Sequence, residues 1–165
     1  MDTTPSLLLT LEEITQLVSG SDNPSETLTN IVNLISNRFA TDVCSVYLLE
    51  PDRLTLVLAA TVGLRAESVG QVRMRIHEGL AGLVAQEVRP IVVPNCETHP
   101  RFKYFSEAGE DPFLGVPVID RGVLQGVLIV QTTESRIFSD DDVRMLAMAG
   151  TQLAPTVSEA RGSRG

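Results

Sequence analysis

At Val43 the spacing of apolar side chains changes from helical to extended, and no other feature constrains the fold as much. Before that point, residues 6–19 place Leu7, Leu11, Ile14 and Val18 on one helical face, with Glu12 and Glu13 on the other. Gly20, Ser21 and Asp22 end the segment. A second helix is expected at once: Asn23 is a good N-cap, Pro24 suits the first helical position, and Glu26 sits where a capping-box acid belongs. Its Leu28, Ile31, Val32, Ile35 and Phe39 follow the helical period. Beyond Val43, residues 43–49 and 54–62 read as two strands joined by a turn at Glu50-Pro51-Asp52-Arg53, an antiparallel hairpin.

The rest of the chain extends this pattern. Residues 72–76 alternate apolar and Arg positions as a short half-exposed strand, 79–86 read as a short helix, and 90–93 as a further strand. Residues 95–112 form an irregular stretch too long for an ordinary connection. A second hairpin follows over 113–119 and 124–132, turning at Asp120-Arg121-Gly122. Ser139 then caps a last helix whose first turn holds Asp140, Asp141 and Asp142, where acids complement the helix dipole. Pro155 falls inside that helix and is expected to kink it or begin its fraying. Hairpins at both ends of the strand set predict an α+β fold with a central antiparallel sheet. The N- and C-terminal helices should cover one face, and the small helix with the long loop should cover a pocket on the other. One domain is expected over residues 7–158, with tails at 1–6 and 159–165.

Composition narrows the function. A chain of 165 residues with 43% hydrophobic content builds a core without metals or disulfides. A formal charge of −8 repels phosphates, so neither nucleic acid nor an anionic membrane is an expected partner. Cys44 and Cys96 make no disulfide framework, and the N-terminus lacks the basic flank of a signal peptide. No apolar run is long enough to span a membrane, so a cytoplasmic location is expected.

Candidate site residues cluster. Four of the seven Phe and Tyr residues (Phe102, Tyr104, Phe105 and Phe113) lie within a dozen positions, interleaved with His99, Arg101, Lys103 and Glu107. Aromatic walls with a few converging polar groups suit a small organic ligand, and equally suit a loop anchored to a sheet. Strand parity puts Ser45 and Tyr47 on one face, towards the pocket, and Cys44, Val46 and Leu48 on the other, towards the helices. Gln131 and Thr133 are nominated by the same parity. Gly79 and Gly82 read as residues that let a small helix pack closely. Cys96 and His99 are half a metal site at most, and zinc wants four ligands, so no metal is expected. No Ser-His-Asp set or carboxylate pair stands out, and no enzymatic activity or cofactor is expected of this chain.

Several segments together resemble the GAF domain family. These are Cys44-Ser45-Val46-Tyr47-Leu48-Leu49, Glu78-Gly79-Leu80-Ala81-Gly82-Leu83-Val84-Ala85, His99-Pro100-Arg101-Phe102, Gly115-Val116-Pro117-Val118 and Gly126-Val127-Leu128. Within the family, residues 43–47, 102–104 and 113–131 are similar to the regulatory GAF domains that stand at the N-terminus of nitrogen-related phosphoenolpyruvate-protein phosphotransferases. The resemblance implies a regulatory domain that binds a small metabolite, with glutamine or 2-oxoglutarate as candidates, and that passes the change to a partner or an attached phosphotransferase domain. In cyclic-nucleotide-binding members the position of Ser45 contributes to the pocket. The ligand set implied is Ser45, Tyr47, His99, Arg101, Phe102, Tyr104, Phe105 and Gln131. The alternative is a ligand-free interaction module: Ala147, Gly150 and Ala154 allow close helix approach, and two copies would form a homodimer through the terminal helices.

Overall fold

The Asn23 side chain caps a helix, accepting hydrogen bonds from the backbone amides of Ser25 (3.0 Å) and Glu26 (3.3 Å). The computed structural model describes residues 16, 23–64, 66–93, 112–132 and 137–164. The helix α1 spans Pro24–Phe39 and ends where Ala40 turns left-handed at φ 53°. The strands are β1 (Val43–Leu49), β2 (Thr55–Val62), β3 (Arg73–Arg75), β4 (Ile91–Val93), β5 (Phe113–Asp120) and β6 (Val123–Gln131). A 3-10 turn at Ala66–Ser68 precedes β3, helix α2 (Gly79–Glu87) precedes β4, and helix α3 (Asp140–Arg164) follows β6. At the start of α3, Ser139 and Asp142 bond each other's backbone amides at 3.1 and 2.8 Å, a reciprocal cap.

The six strands form one sheet in the order β3-β2-β1-β6-β5-β4. Every neighbouring pair is antiparallel. This is the α+β arrangement expected from the two hairpins. Successive side chains point to opposite faces, so the sheet has two cores. On one face α1 and α3 cover Cys44, Val46, Leu48, Leu114, Val116, Leu128 and Val130. On the other, Leu80, Val84 and Ala85 of α2 meet Tyr47, Leu56, Leu58, Phe113, Val127 and Ile129. The small residues of α3 serve the first core: Gly150 faces Val116 and Pro117, and Ala154 is buried.

Two departures concern α3. Residues 159–164, read from the sequence as a frayed tail, are its last turns. Pro155 neither ends the helix nor begins its fraying. Ala154, Val157 and Ala160 are buried around it, and that packing outweighs the one backbone bond a proline removes. The helix expected over residues 6–19 lies outside the described residues except for Gln16, which is helical and exposed.

Candidate ligand-binding face

The polar groups of the sheet gather on the α2 face, and strand register shows how. Across β2, β1, β6 and β5 one row runs Thr61, Ser45, Ile129, Gly115. The next row, two residues along the strands, runs Val43, Gln131, Phe113, Val93. A third, on the opposite side of the first, runs Leu58, Tyr47, Val127, Pro117. Ser45 and Thr61 Oγ atoms are 2.8 Å apart, and Gln131 stands diagonally across from Ser45. Ser45 is fully buried and Gln131 is 5% exposed.

A β-bulge makes this cluster. Between Val46 and Tyr47 the register with β2 slips from Ala60 to Leu58, leaving Ala59 as the extra residue. Leu56 and Leu58 therefore face α2, Ala60 faces the helical core, and Thr61 returns to the α2 face opposite Ser45. Thr61 is the residue that strict alternation along β2 misses, since it would put Thr61 with the helices. The adjacent small pair Ala59-Ala60 is the sequence signal that could have located the slip.

The hydroxyl pair leaves hydrogen-bonding capacity. One hydroxyl donates to the other, and the half-buried Thr61 Oγ1 also lies 3.5 Å from the Val62 carbonyl oxygen. Tyr47 and Phe113 supply flat apolar walls, 2% exposed each. Burial pushes the Tyr47 phenol well above its usual pKa, so it stays protonated. Cys44, on the opposite face, is buried and its thiol is raised the same way, which makes it a packing residue.

Helix α2 lies tight on this face. A Cβ on Gly82 would come 2.7 Å from the Ile76 carbonyl oxygen and 2.8 Å from that of Arg75. Gly79 enters the helix at φ 66°, a conformation that favours glycine. The glycines therefore serve packing, as the sequence reading had it.

Of the predicted site residues, Ser45, Tyr47 and Gln131 share the α2 face, as parity required. His99, Arg101, Phe102, Tyr104 and Phe105 lie outside the described residues, as do Cys96 and Thr133. The segment that carries the first five joins Val93 to Pro112, and Val93 pairs with Phe113 next to Gln131. Both of its ends thus stand beside the polar row. A half-open hollow of about 250 Å³ lies on the helical face, lined by Ser25, Glu26 and Thr29 of α1 with Leu48, Ala59, Val69 and Ala160, and none of the predicted site residues lines it. Among the described residues no His, Cys, Asp or Glu cluster suits a metal ion, and no helix is long and apolar enough to cross a membrane.

A six-stranded antiparallel sheet with two long helices behind it and a small helix over a polar row in front makes a small α+β domain. The family model for the GAF domain matches residues 23–157, and the chain belongs to that family. Its relatives narrow the setting. Over 158 residues it is 36% identical to a protein of Escherichia coli K12 named phosphoenolpyruvate-dependent phosphotransferase system, covering 94% of this chain and 21% of that one. It is 28% identical to the Nif-specific regulatory protein of Azospirillum brasilense, covering 91% of this chain and 25% of that one. The chain thus spans a quarter or less of these curated relatives. Among solved structures, the GAF domain of an Acinetobacter phosphoenolpyruvate-protein phosphotransferase is 34% identical, with a TM-score of 0.85 over 99% of this chain and 98% of that one.

Proposed function

We propose that this GAF domain is a regulatory sensor that binds a small polar metabolite against the α2 face of its sheet. The observation that carries this reading is the polar row, with Ser45 and Gln131 buried and Thr61 half-buried. Burying the Ser45 hydroxyl and the Gln131 carboxamide costs free energy that apolar side chains would not, and the half-buried Thr61 hydroxyl, 2.8 Å from Ser45 Oγ, adds a further polar group beside them. A sheet face with no role beyond packing has no need of that cost. The same strands are filled with apolar residues on their other face.

A metabolite with carbonyl or carboxylate groups would take the spare hydroxyl proton and stack its carbon skeleton on Tyr47 and Phe113. His99, Arg101, Phe102, Tyr104 and Phe105 complete the proposed site from the connecting segment, with Arg101 as the natural counter-charge for a carboxylate. Relatives named as a phosphotransferase-system protein and a Nif-specific regulator support a role in control rather than in chemistry, and make glutamine and 2-oxoglutarate the first compounds to test. The reading makes the chain itself non-catalytic, with any transferase activity in other domains of a longer protein. Ligand binding would shift α3, the long helix packed on the back of the same sheet.

A thermal-shift screen of the chain against amino acids and 2-oxo acids tests this. A ligand at about a hundred times its dissociation constant adds about 2.7 kcal/mol, several degrees for a domain of this size. Ser45→Ala should abolish a true hit while leaving the unliganded melting temperature within a few degrees. A hit that persists in that variant overturns the assignment of the site. A two-fold assembly is a separate matter: Gly150 and Ala154 already pack inside the chain, so it would have to use outward residues such as Met148, which is 42% exposed. Sedimentation of the wild type and Met148→Glu decides that point.

A further inference from the structure

The Arg161 side chain ties the last turn of α3 to the sheet. Arg161 Nε donates to the Leu49 carbonyl oxygen at 2.5 Å, and its Nη1 donates to Gln125 Oε1 at 2.6 Å. Gln125 in turn donates from Nε2 to the Val123 carbonyl oxygen at 3.2 Å. These contacts join residues 112 and 36 positions apart in the chain.

The strand pairing explains why an arginine is needed there. The β5–β6 register steps from Val118–Gly126 to Ile119–Leu124, so Gln125 is the extra residue of a bulge. The β1–β6 pairing ends at Leu48–Gly126, one step before Leu49. The bulge carries β6 off the ladder just where Leu49 needs a donor on that side, and the guanidinium fills the place of the missing strand amide. A planar fork reaches the two acceptors from two different nitrogens, whereas a lysine ammonium donates from one nitrogen only. Partial burial and the nearby Arg53 charge pull the Arg161 pKa down while Glu50 opposes them, consistent with a guanidinium partly withdrawn from water.

We propose that Arg161 is a latch that couples strand β1 to the end of helix α3. Ser45 and Tyr47 lie on β1, and Leu49 ends the same strand. A displacement of β1 at the polar row moves the Leu49 carbonyl, and with it the seat of the guanidinium. The latch then holds or releases the last turns of α3. This rests on the sensor reading only for what moves β1; the latch itself rests on the hydrogen bonds.

Hydrogen exchange on the whole chain tests it without any ligand. Arg161→Met keeps the aliphatic stem and removes the donors, and should speed exchange of amides 157–164 at least tenfold while those of 143–152 change less than twofold. Gln125→Leu should do much the same, and the double variant should be no faster than Arg161→Met, because both remove one network. Arg161→Lys should behave like Arg161→Met. Unchanged exchange, or single-variant effects that multiply in the double, overturns the latch. For coupling, Ser45→Val disturbs β1 at the polar row. It should speed exchange of 157–164 in the wild type and add nothing in the Arg161→Met background. No effect in the wild type overturns the coupling, whatever the ligand screen returns.

Discussion

The two faces of the sheet are built from the same strands and are chemically unlike. Behind the sheet, β1, β5 and β6 offer Cys44, Val46, Leu48, Leu114, Val116, Val118, Leu128 and Val130, an unbroken apolar layer under two long helices. In front, the intervening positions include Ser45, Thr61 and Gln131 among the apolar residues, under a helix of nine residues. Alternation along a strand lets one sequence write both surfaces at once. The rear face is continuous and deep, which is what stability requires. The front face gives up some of that for polar groups, the ones the proposed function assigns to a ligand. On the proposed reading, energetic weight and functional weight sit on opposite sides of the same backbone.

The sharpest test of that division is Leu128→Ala. Leu128 is fully buried on the rear face, paired with Val46 on one side and Val116 on the other. Its loss should cost about 2–5 kcal/mol in denaturant unfolding, the range for a large-to-small change in a rigid core. A cost under about 1 kcal/mol would mean the rear core collapses around the gap and is no firmer than the front.

A pair of glycines sharpens the comparison further, one on each face. At Gly115 an added Cβ would come 2.8 Å from Val84 Cγ2 and 2.9 Å from Phe113 Cζ. Val84 is β-branched and fully buried, so it yields little, and Gly115→Ala should cost about 1–3 kcal/mol. At Gly150 the nearest atoms are Val116 Cγ2 at 3.6 Å and the Pro117 carbonyl oxygen at 3.8 Å, ordinary contact distances. There, within α3, alanine should stabilise by about 0.5–1 kcal/mol through helix propensity. Urea midpoints of the two variants should move in opposite directions. Two shifts of the same sign would remove the contrast between a tight front helix and a rear helix with room to spare.

The sequence carries most of this fold in local signals. Asn23-Pro24, Gly79 and Ser139 mark the three described helix starts, and alternation from Val43 onward separates the Ser45/Tyr47 face from the Cys44/Val46/Leu48 face. What local signals do not carry are the places where two strands disagree in length. The bulge at Ala59 turns Thr61 onto the front face, and that depends on how β2 meets β1, not on either strand alone. The bulge at Gln125 is the same kind of event, and it gives Arg161 its partner. In sequence, Arg161 stands beside Gly162 and Ser163 and reads as part of a loose tail. Its role is visible only once Leu49 and Gln125 are brought to it.

The smallest expected effect lies at the turn between β1 and β2. Asp52 Oδ1 accepts from the amides of Leu54 (2.8 Å) and Thr55 (3.0 Å), Oδ2 accepts from the Thr55 hydroxyl at 2.9 Å, and Arg75 Nη1 stands 3.8 Å away. The Leu54 amide and the Thr55 hydroxyl, with help from Arg75, hold its pKa below the ordinary carboxylate value. A group whose folded pKa is depressed binds its proton more readily when unfolded. Its contribution is therefore present above the unfolded carboxylate pKa and is lost as pH falls through the folded one. Asn at this position still accepts from both amides but does not titrate there. Asp52→Asn should thus differ slightly from the wild type at pH 7, with the difference shrinking in acid below the normal carboxylate range. Melting curves at neutral and acid pH measure it. A gap of constant size across that range would show that the turn is held by amide geometry alone, with no part played by the carboxylate's charge.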